Sequence, residues 1–367
     1  MLNVGMVGVG CISGIYLENF ANTFKNVKLI AVCDLIRERA EAAKEKYNVP
    51  KIYDTMEELF ADPEIDIVLN LTRPYQHYEV SRAALLAGKH VYSEKPLGAD
   101  WEEGTELVRL AKERGLWIGG APDTFMGAGI QTCRKFIDDG NLGDVIGGRC
   151  VMSSRGVETW HPDPDFYYQR GGGPLLDMGP YYITALVNLL GEVKSVYGTS
   201  RTMFAERLIT AHPHENEIIK VNVPTHYECL LNFTSGATVS FLTSFDMYNA
   251  KQANIQLYGT KGNLYVPDPN CFGSENGMRF LNGSTNTEED VPLEFDYSTN
   301  SRCLGLADLA AAIEQNRSPR ASYLQTYHVL EVMMGVIKSA ETGEPYKMTT
   351  RFEREAPMDP SLPHGVL

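Results

Sequence analysis

Gly8-Val9-Gly10-Cys11-Ile12-Ser13 follows an apolar run and opens a segment with helical spacing. Glycines at its first and third positions permit a tight strand-to-helix turn, and they let backbone N–H groups approach a pyrophosphate at a helix amino terminus. Cys11 and Ile12 complete that turn. Ser13 stands where a third glycine would complete the fingerprint, and the string alone also suits an ordinary turn. Asp34 weighs for the first reading: it ends the next β-branched run 24 positions on (34 minus 10). There a carboxylate accepts hydrogen bonds from a ribose 2′-hydroxyl and repels a 2′-phosphate. The expected cofactor is NAD rather than NADP. Asp34 also suits the N-cap of a helix starting near Arg37, and the two roles can coexist. Cys11 reads either as a reactive thiol or as a tolerated turn position.

The elements that position these residues follow from periodicity. Strands are expected at 3–7, 28–33, 66–71, 90–93 and 116–119, with helices at 11–24, 37–46, 75–87 and 101–114 between them. Such alternation implies a Rossmann-type, doubly wound, mostly parallel sheet. After Gly120 the rhythm changes. One helix at 130–139 leads into β-rich sequence from Asp144, with strands at 227–234, 237–245 and 253–257, then helices at 304–315 and 323–340. The turn strings Ser235-Gly236 and Gly259-Thr260-Lys261-Gly262 lie at hairpin spacing, so a large, mostly antiparallel sheet is expected. The fold class is α/β with a C-terminal α+β domain: residues 1–122 for NAD, 123–350 for substrate and oligomerisation, and 351–367 as an extended arm.

The 367 residues carry 33 basic and 47 acidic side chains, a formal charge of -14, which repels nucleic acid. No apolar run approaches membrane-spanning length, and the amino terminus runs straight into a strand, so a cytoplasmic protein is expected. Seven cysteines, none in a CxxC pair, read as reduced thiols. His212-Pro213-His214-Glu215 lacks a matching ligand cluster and reads as an exposed loop, with no metal.

Three further strings fall at loops beyond strand carboxyl ends, where a doubly wound sheet places ligands: Thr72-Arg73-Pro74-Tyr75-Gln76-His77, Glu94-Lys95-Pro96, and Gly171-Gly172-Gly173-Pro174-Leu175-Leu176-Asp177-Met178-Gly179-Pro180-Tyr181. With Gly259-Thr260-Lys261-Gly262, this combination resembles the Gfo/Idh/MocA family of glucose-fructose oxidoreductases and inositol dehydrogenases over nearly the whole chain. The resemblance implies that Lys95, Asp177 and Tyr181 line the substrate as the catalytic set; Thr72, Arg73, His77, Glu94 and Lys95, in loops beyond strand ends, are expected to line the cofactor. Histidine is usual at the Tyr181 position, and the tyrosine resembles dihydrodiol dehydrogenases and glucose-fructose oxidoreductase.

Oxidising a secondary alcohol sends a hydride to nicotinamide and a proton to a base, and a phenol needs a nearby cation to ionise readily. Lys95 is placed to supply that charge. Asp177 would bind a hydroxyl or orient Lys95, and its four-residue spacing to Tyr181 puts both on one helix face if a helix starts there. Plainer roles stand beside these: Asp177 as an N-cap, Lys95 as a solvated strand-end lysine, Tyr181 or its neighbour Tyr182 as core. His77 suits a structural hydrogen bond in the cofactor loop. Arg155, Trp160 and His161 suit a pyranose face and its hydroxyls, or a surface loop held by one tryptophan. The sequence thus points to an NAD-dependent dehydrogenase of a sugar, glycoside or polyol, forming a homo-oligomer through the C-terminal sheet. The alternatives are a glycosidase using NAD transiently and a non-enzymatic sugar sensor.

Overall fold

The architecture comes from a computed structural model that describes residues 1–248, 254–274 and 277–367. Its first strands are short apolar runs with almost no exposed position, as parallel pairing between two helix layers requires. In chain order they are β1 (Leu2–Val7), α1 (Ser13–Asn22), β2 (Val27–Cys33), α2 (Arg37–Tyr47), β3 (Lys51–Tyr53), α3 (Met56–Ala61), β4 (Ile67–Asn70), α4 (His77–Leu86), β5 (His90–Ser93), α5 (Trp101–Arg114) and β6 (Ile118–Gly120). Every pair is parallel, in the order β3-β2-β1-β4-β5-β6. The order reverses between β1 and β4, so a crevice opens at their carboxyl ends, where such sheets bind ligands. Periodicity missed β3 and α3, which are three and six residues long.

The second sheet is built from longer, alternating strands. α6 (Ala128–Asp138) leads to β7 (Val145–Ser153), then α7 (Gly173–Asp177) and α8 (Gly179–Leu190). β8 (Val193–Arg201), β9 (Glu206–Leu208), β10 (Ile218–Lys220), β11 (His226–Phe233), β12 (Thr238–Ser244), β13 (Ile255–Gly259), β14 (Gly262–Val266), β15 (Arg279–Asn282) and β16 (Thr287–Asp290) follow. α9 (Leu304–Gln315), α10 (Tyr323–Thr342) and β17 (Tyr346–Lys347) complete the chain's regular elements. The sheet runs β16-β15-β14-β13-β7-β12-β11-β8-β17. It is antiparallel except where β12 pairs with β7 in parallel. The strand expected at 253–257 is seen as β13, with its expected first residue outside the described ones.

β11 shows why one face is covered: Tyr227, Cys229, Leu231 and Phe233 are buried while Glu228 and Leu230 are exposed. α8 and α10 lie on the buried face, with Tyr182 of α8 stacked on Phe241 at 6.0 Å and α10 packed along β8. α9 and α10 also reach the first sheet. A backbone bridge joins Gly119 to Ser322, and Leu330 of α10 occupies the space a side chain on Gly104 of α5 would need. One contiguous apolar core results, running beneath both sheets. Residues 351–367 contain no helix or strand and are tied down by Met358, whose N–H donates to Gln131, and by Gly365, whose N–H donates to the Tyr297 hydroxyl.

Candidate active site

The glycine turn caps the crevice, and its two glycines are required for different reasons. Gly8 has φ +94°, and a Cβ there would meet the Leu71 carbonyl oxygen at 2.8 Å, so backbone geometry fixes it. Gly10 has no atom within 4 Å of where its Cβ would lie. That empty space above the start of α1 fits the close backbone approach of a pyrophosphate. The Asp34 carboxylate accepts from Val9 N–H at 2.6 Å and from Ile36 N–H at 2.8 Å, joining the glycine turn to the end of β2. It does not cap α2: the capping position is Ile36, and no side chain caps it. Cys11 is exposed at the turn.

The second wall of the crevice is the Thr72–His77 loop. Thr72 donates from its hydroxyl to Asn70 at 2.6 Å. His77 is buried, with its ring nitrogens 2.9 Å from the carbonyl oxygens of Pro96 and Thr72, so it stitches this loop to the Glu94-Lys95-Pro96 segment. Burial pushes its pKa down against the pull of those two carbonyls. Arg73 forms an ion pair with Asp163 and lies over the Phe166 ring, which brings the substrate-side loop against the cofactor side. Glu94 is turned inward: Tyr16 donates its hydroxyl to one carboxylate oxygen at 3.0 Å and Lys95 N–H donates to the other.

At the floor, Lys95 Nζ donates to Asp177 Oδ1 at 2.6 Å and lies 5.3 Å from the centre of the Tyr181 ring. Burial opposes the lysine's charge most strongly of any single cause, but Asp177, Tyr181 and Glu94 together outweigh it, and Lys95 stays protonated well above the usual lysine range. The spacing argument needs one correction. Asp177 ends α7 and Tyr181 is in the first turn of α8, with Met178 between them, so no continuous helix carries both. Pro180 causes the break, since it has no N–H to donate to Leu176. Asp177 is not a cap either; it binds Lys95. Tyr182, the rival aromatic, is core: its hydroxyl donates to Asp268 Oδ1 at 3.3 Å and accepts from Asn254 Nδ2 at 2.7 Å.

Of the three loop residues expected at a sugar, His161 lies close enough to feel the charge of Asp177, with Trp160 edge-on to it at 5.4 Å and 64% exposed. Arg155 goes elsewhere. Its guanidinium is layered between Phe204 and Tyr248 and lines an open recess with Glu158, Phe204 and Arg207.

The chain matches two family descriptions in turn: "Oxidoreductase family, NAD-binding Rossmann fold" over residues 2–119 and "GFO/IDH/MocA C-terminal domain" over residues 130–265. It belongs to the Gfo/Idh/MocA family. As a member it is an NAD-binding oxidoreductase. Trans-1,2-dihydrobenzene-1,2-diol dehydrogenase of Bos taurus is 29% identical over 272 residues, 73% of this chain and 75% of that protein. D-xylose dehydrogenase of Paenarthrobacter nicotinovorans is 28% identical over 177 residues, 47% of this chain and 45% of that one. In three dimensions, levoglucosan dehydrogenase in complex with NADH and L-sorbose superposes with a TM-score of 0.81 at 19% identity, covering 95% of this chain and 99% of the other.

Two side chains near Tyr181 were missed in the sequence. Tyr167, in a short turn of 3-10 helix (Asp165–Tyr168), is buried enough to push its phenol pKa up, and it lies near Asp177, Lys95, Tyr181 and Cys11. The aromatic run Phe166-Tyr167-Tyr168 just before the glycine triplet was its only signal. Arg302, just before α9, donates to Asn300 and Asn270 and carries its charge near Tyr181, Asp123 and Glu94. Nothing in its neighbourhood, Asn300-Ser301-Arg302-Cys303, resembles a motif.

Proposed function

We propose that the chain oxidises a secondary hydroxyl of a sugar, glycoside or polyol, or reduces the corresponding ketone, with Lys95, Asp177 and Tyr181 as the reaction centre. The carrying observation is the 2.6 Å contact of Lys95 with Asp177 beside the Tyr181 ring, Lys95 lying just beyond the carboxyl end of β5. The names of its relatives, a diol dehydrogenase, a D-xylose dehydrogenase and levoglucosan dehydrogenase, support that substrate class.

Gly8, Gly10, Cys11 and Ile12 hold the pyrophosphate in this reading, Asp34 the adenosine ribose, and Thr72, Arg73 and His77 the wall beside it. Bound NAD supplies the hydride acceptor. Tyr181 takes the hydroxyl proton as the carbonyl forms, and Lys95, aimed by Asp177, stabilises the oxygen as it gains charge. His161 and Tyr167 contact the substrate's remaining hydroxyls. A homo-oligomer formed through the second sheet completes the reading.

Purified protein with NAD and a panel of monosaccharides, glycosides, inositols and diols should generate NADH absorbance with at least one class. Lys95→Ala and Tyr181→Phe should each lower kcat/KM by about a hundredfold or more. If either variant stays within a few-fold of the parent, the reaction centre is wrong. Glycoside cleavage without net NADH would replace the dehydrogenase with a hydrolase.

A further inference from the structure

In the sequence, Asp34 alone selects between cofactors, since a carboxylate there accepts from a ribose 2′-hydroxyl and repels a 2′-phosphate. The folded chain sets a second carboxylate beside it. β2 and β3 are adjacent and parallel, and Cys33 pairs with Tyr53 at their ends, so Asp34 and Asp54 leave the carboxyl edge of the sheet side by side. Neighbouring strands lie about 4.7–4.9 Å apart, which sets the scale of that separation. Asp34 is held by Val9 N–H and Ile36 N–H. Asp54 instead forms an ion pair with Arg37, the first residue of α2, whose Nε also donates to Glu41 at 2.9 Å.

Arg37 comes three positions after Asp34, and an arginine near the end of the second strand is what accommodates a 2′-phosphate in such sheets. Here two carboxylates already engage it. Arg39, two positions on, does not share its helix face. More acid follows Asp54: its N–H donates to Glu58 at 3.2 Å, and burial together with Asp34, Glu57 and Glu58 pushes the Cys33 thiol up to about 11. We propose that Asp54 is a second selector of NAD over NADP: it adds negative charge beside Asp34 and holds Arg37 away from the ribose, so a 2′-phosphate meets like charge and finds that guanidinium engaged. This rests on the reading of Asp34 as the ribose ligand given above. A phosphate group carries about 1.5–2 negative charges at neutral pH, so each carboxylate at this edge counts against it. The side chains of Arg37 and Asp54 are 56% and 67% exposed, and an ion pair so open to water adds little to stability. Breaking it changes selection rather than folding.

The test is calorimetric titration of the full chain with NAD and with NADP at one ionic strength, read as the ratio of the NADP to the NAD dissociation constant. The parent should give a ratio of about ten or more. In Asp54→Asn the ratio should fall about threefold or more, and in Asp34→Ser/Asp54→Asn NADP should bind at least as tightly as NAD. Adding Arg37→Met to that double variant should raise the ratio again by about fivefold or more, because the released guanidinium then holds the phosphate. A ratio that Asp54→Asn leaves unmoved in both the parent and the Asp34→Ser background overturns the inference. So does a triple variant that keeps the double variant's ratio, or a parent that binds both cofactors equally. Should Asp54→Asn not fold, Asp54→Ser takes its place with the same expected shifts. If Asp34→Ser by itself keeps the parent's ratio, the failure lies in placing Asp34 on the ribose, and the selector falls with it.

Discussion

At the scale of single residues, the two glycines of the turn separate folding from binding. Gly8→Ala places a Cβ against the Leu71 carbonyl in a left-handed conformation, which costs about 1–2 kcal/mol for the backbone alone, with the steric contact added. Its denaturation midpoint should fall. Gly10→Ala projects a methyl into open space, so its midpoint should match the parent while calorimetric titration shows NAD binding weakened about tenfold or more. Equal NAD affinity for Gly10→Ala and the parent would remove the pyrophosphate from this turn. Both glycines and Asp34 were legible because each answers to one local backbone requirement. Tyr167 and Arg302 were not, because each comes near Tyr181 from a distant loop whose path the sequence does not fix. Arg155 shows the limit from the other side: a tryptophan nearby in sequence suggested a sugar loop, while the folded chain lays its guanidinium over the Phe204 and Tyr248 rings.

At the scale of elements, long periodic segments were readable and the short or interrupted ones were not. β3 gains only three residues of pairing and lives on its contact with β2, and Pro180 splits α7 from α8 although the apolar spacing runs on. α10 contains a device that periodicity hides. His328 is fully buried; Val193 N–H donates to its Nε2, so Nδ1 carries the proton and donates to the Thr350 hydroxyl, which donates to Glu331. Burial pushes this histidine down to about 4, against the pull of Glu331 and Glu192. With the folded value below the unfolded one of about 6.5, its contribution is complete above that pH and is lost as pH falls toward 4, by about 3 kcal/mol at most. Asp123 does the reverse. Burial pushes its carboxyl up to about 6, so its contribution is complete below about 3.9 and is lost as pH rises through 6. The two slopes oppose each other between pH 4 and 6. Denaturant midpoints should therefore show the stability deficit of His328→Gln shrinking as pH falls from 6.5 to 4, and that of Asp123→Asn shrinking as pH rises over the same range. Parallel curves for variant and parent would refute the assignment for that residue.

At the scale of the whole molecule, the two sheets share one core, yet among the described residues helices cover one face of the larger sheet. α8 and α10 occupy its inner side, with Tyr182 on Phe241 and Val336 filling the space beside Gly198. On the outer side, Tyr197 of β8 and Leu230 of β11 are cross-strand partners, 40% and 44% exposed. Ser240 and Arg149 continue their row across β12 and β7. Ile146 adds a further apolar side chain, 64% exposed, on β7. A broad sheet face with paired apolar side chains in water is a surface that a second copy can cover symmetrically, strand row against strand row. Arg149 and the neighbouring hydroxyls would supply polar contacts at its margin. Light scattering should accordingly give the mass of a dimer or larger assembly at micromolar concentration. Leu230→Asp and Tyr197→Asp change exposed positions, so they should shift that mass toward the monomer with little change in far-ultraviolet circular dichroism. A monomeric parent would refute the assembly, and an assembly unmoved by both charges would place the contact on another face and leave this one facing solvent.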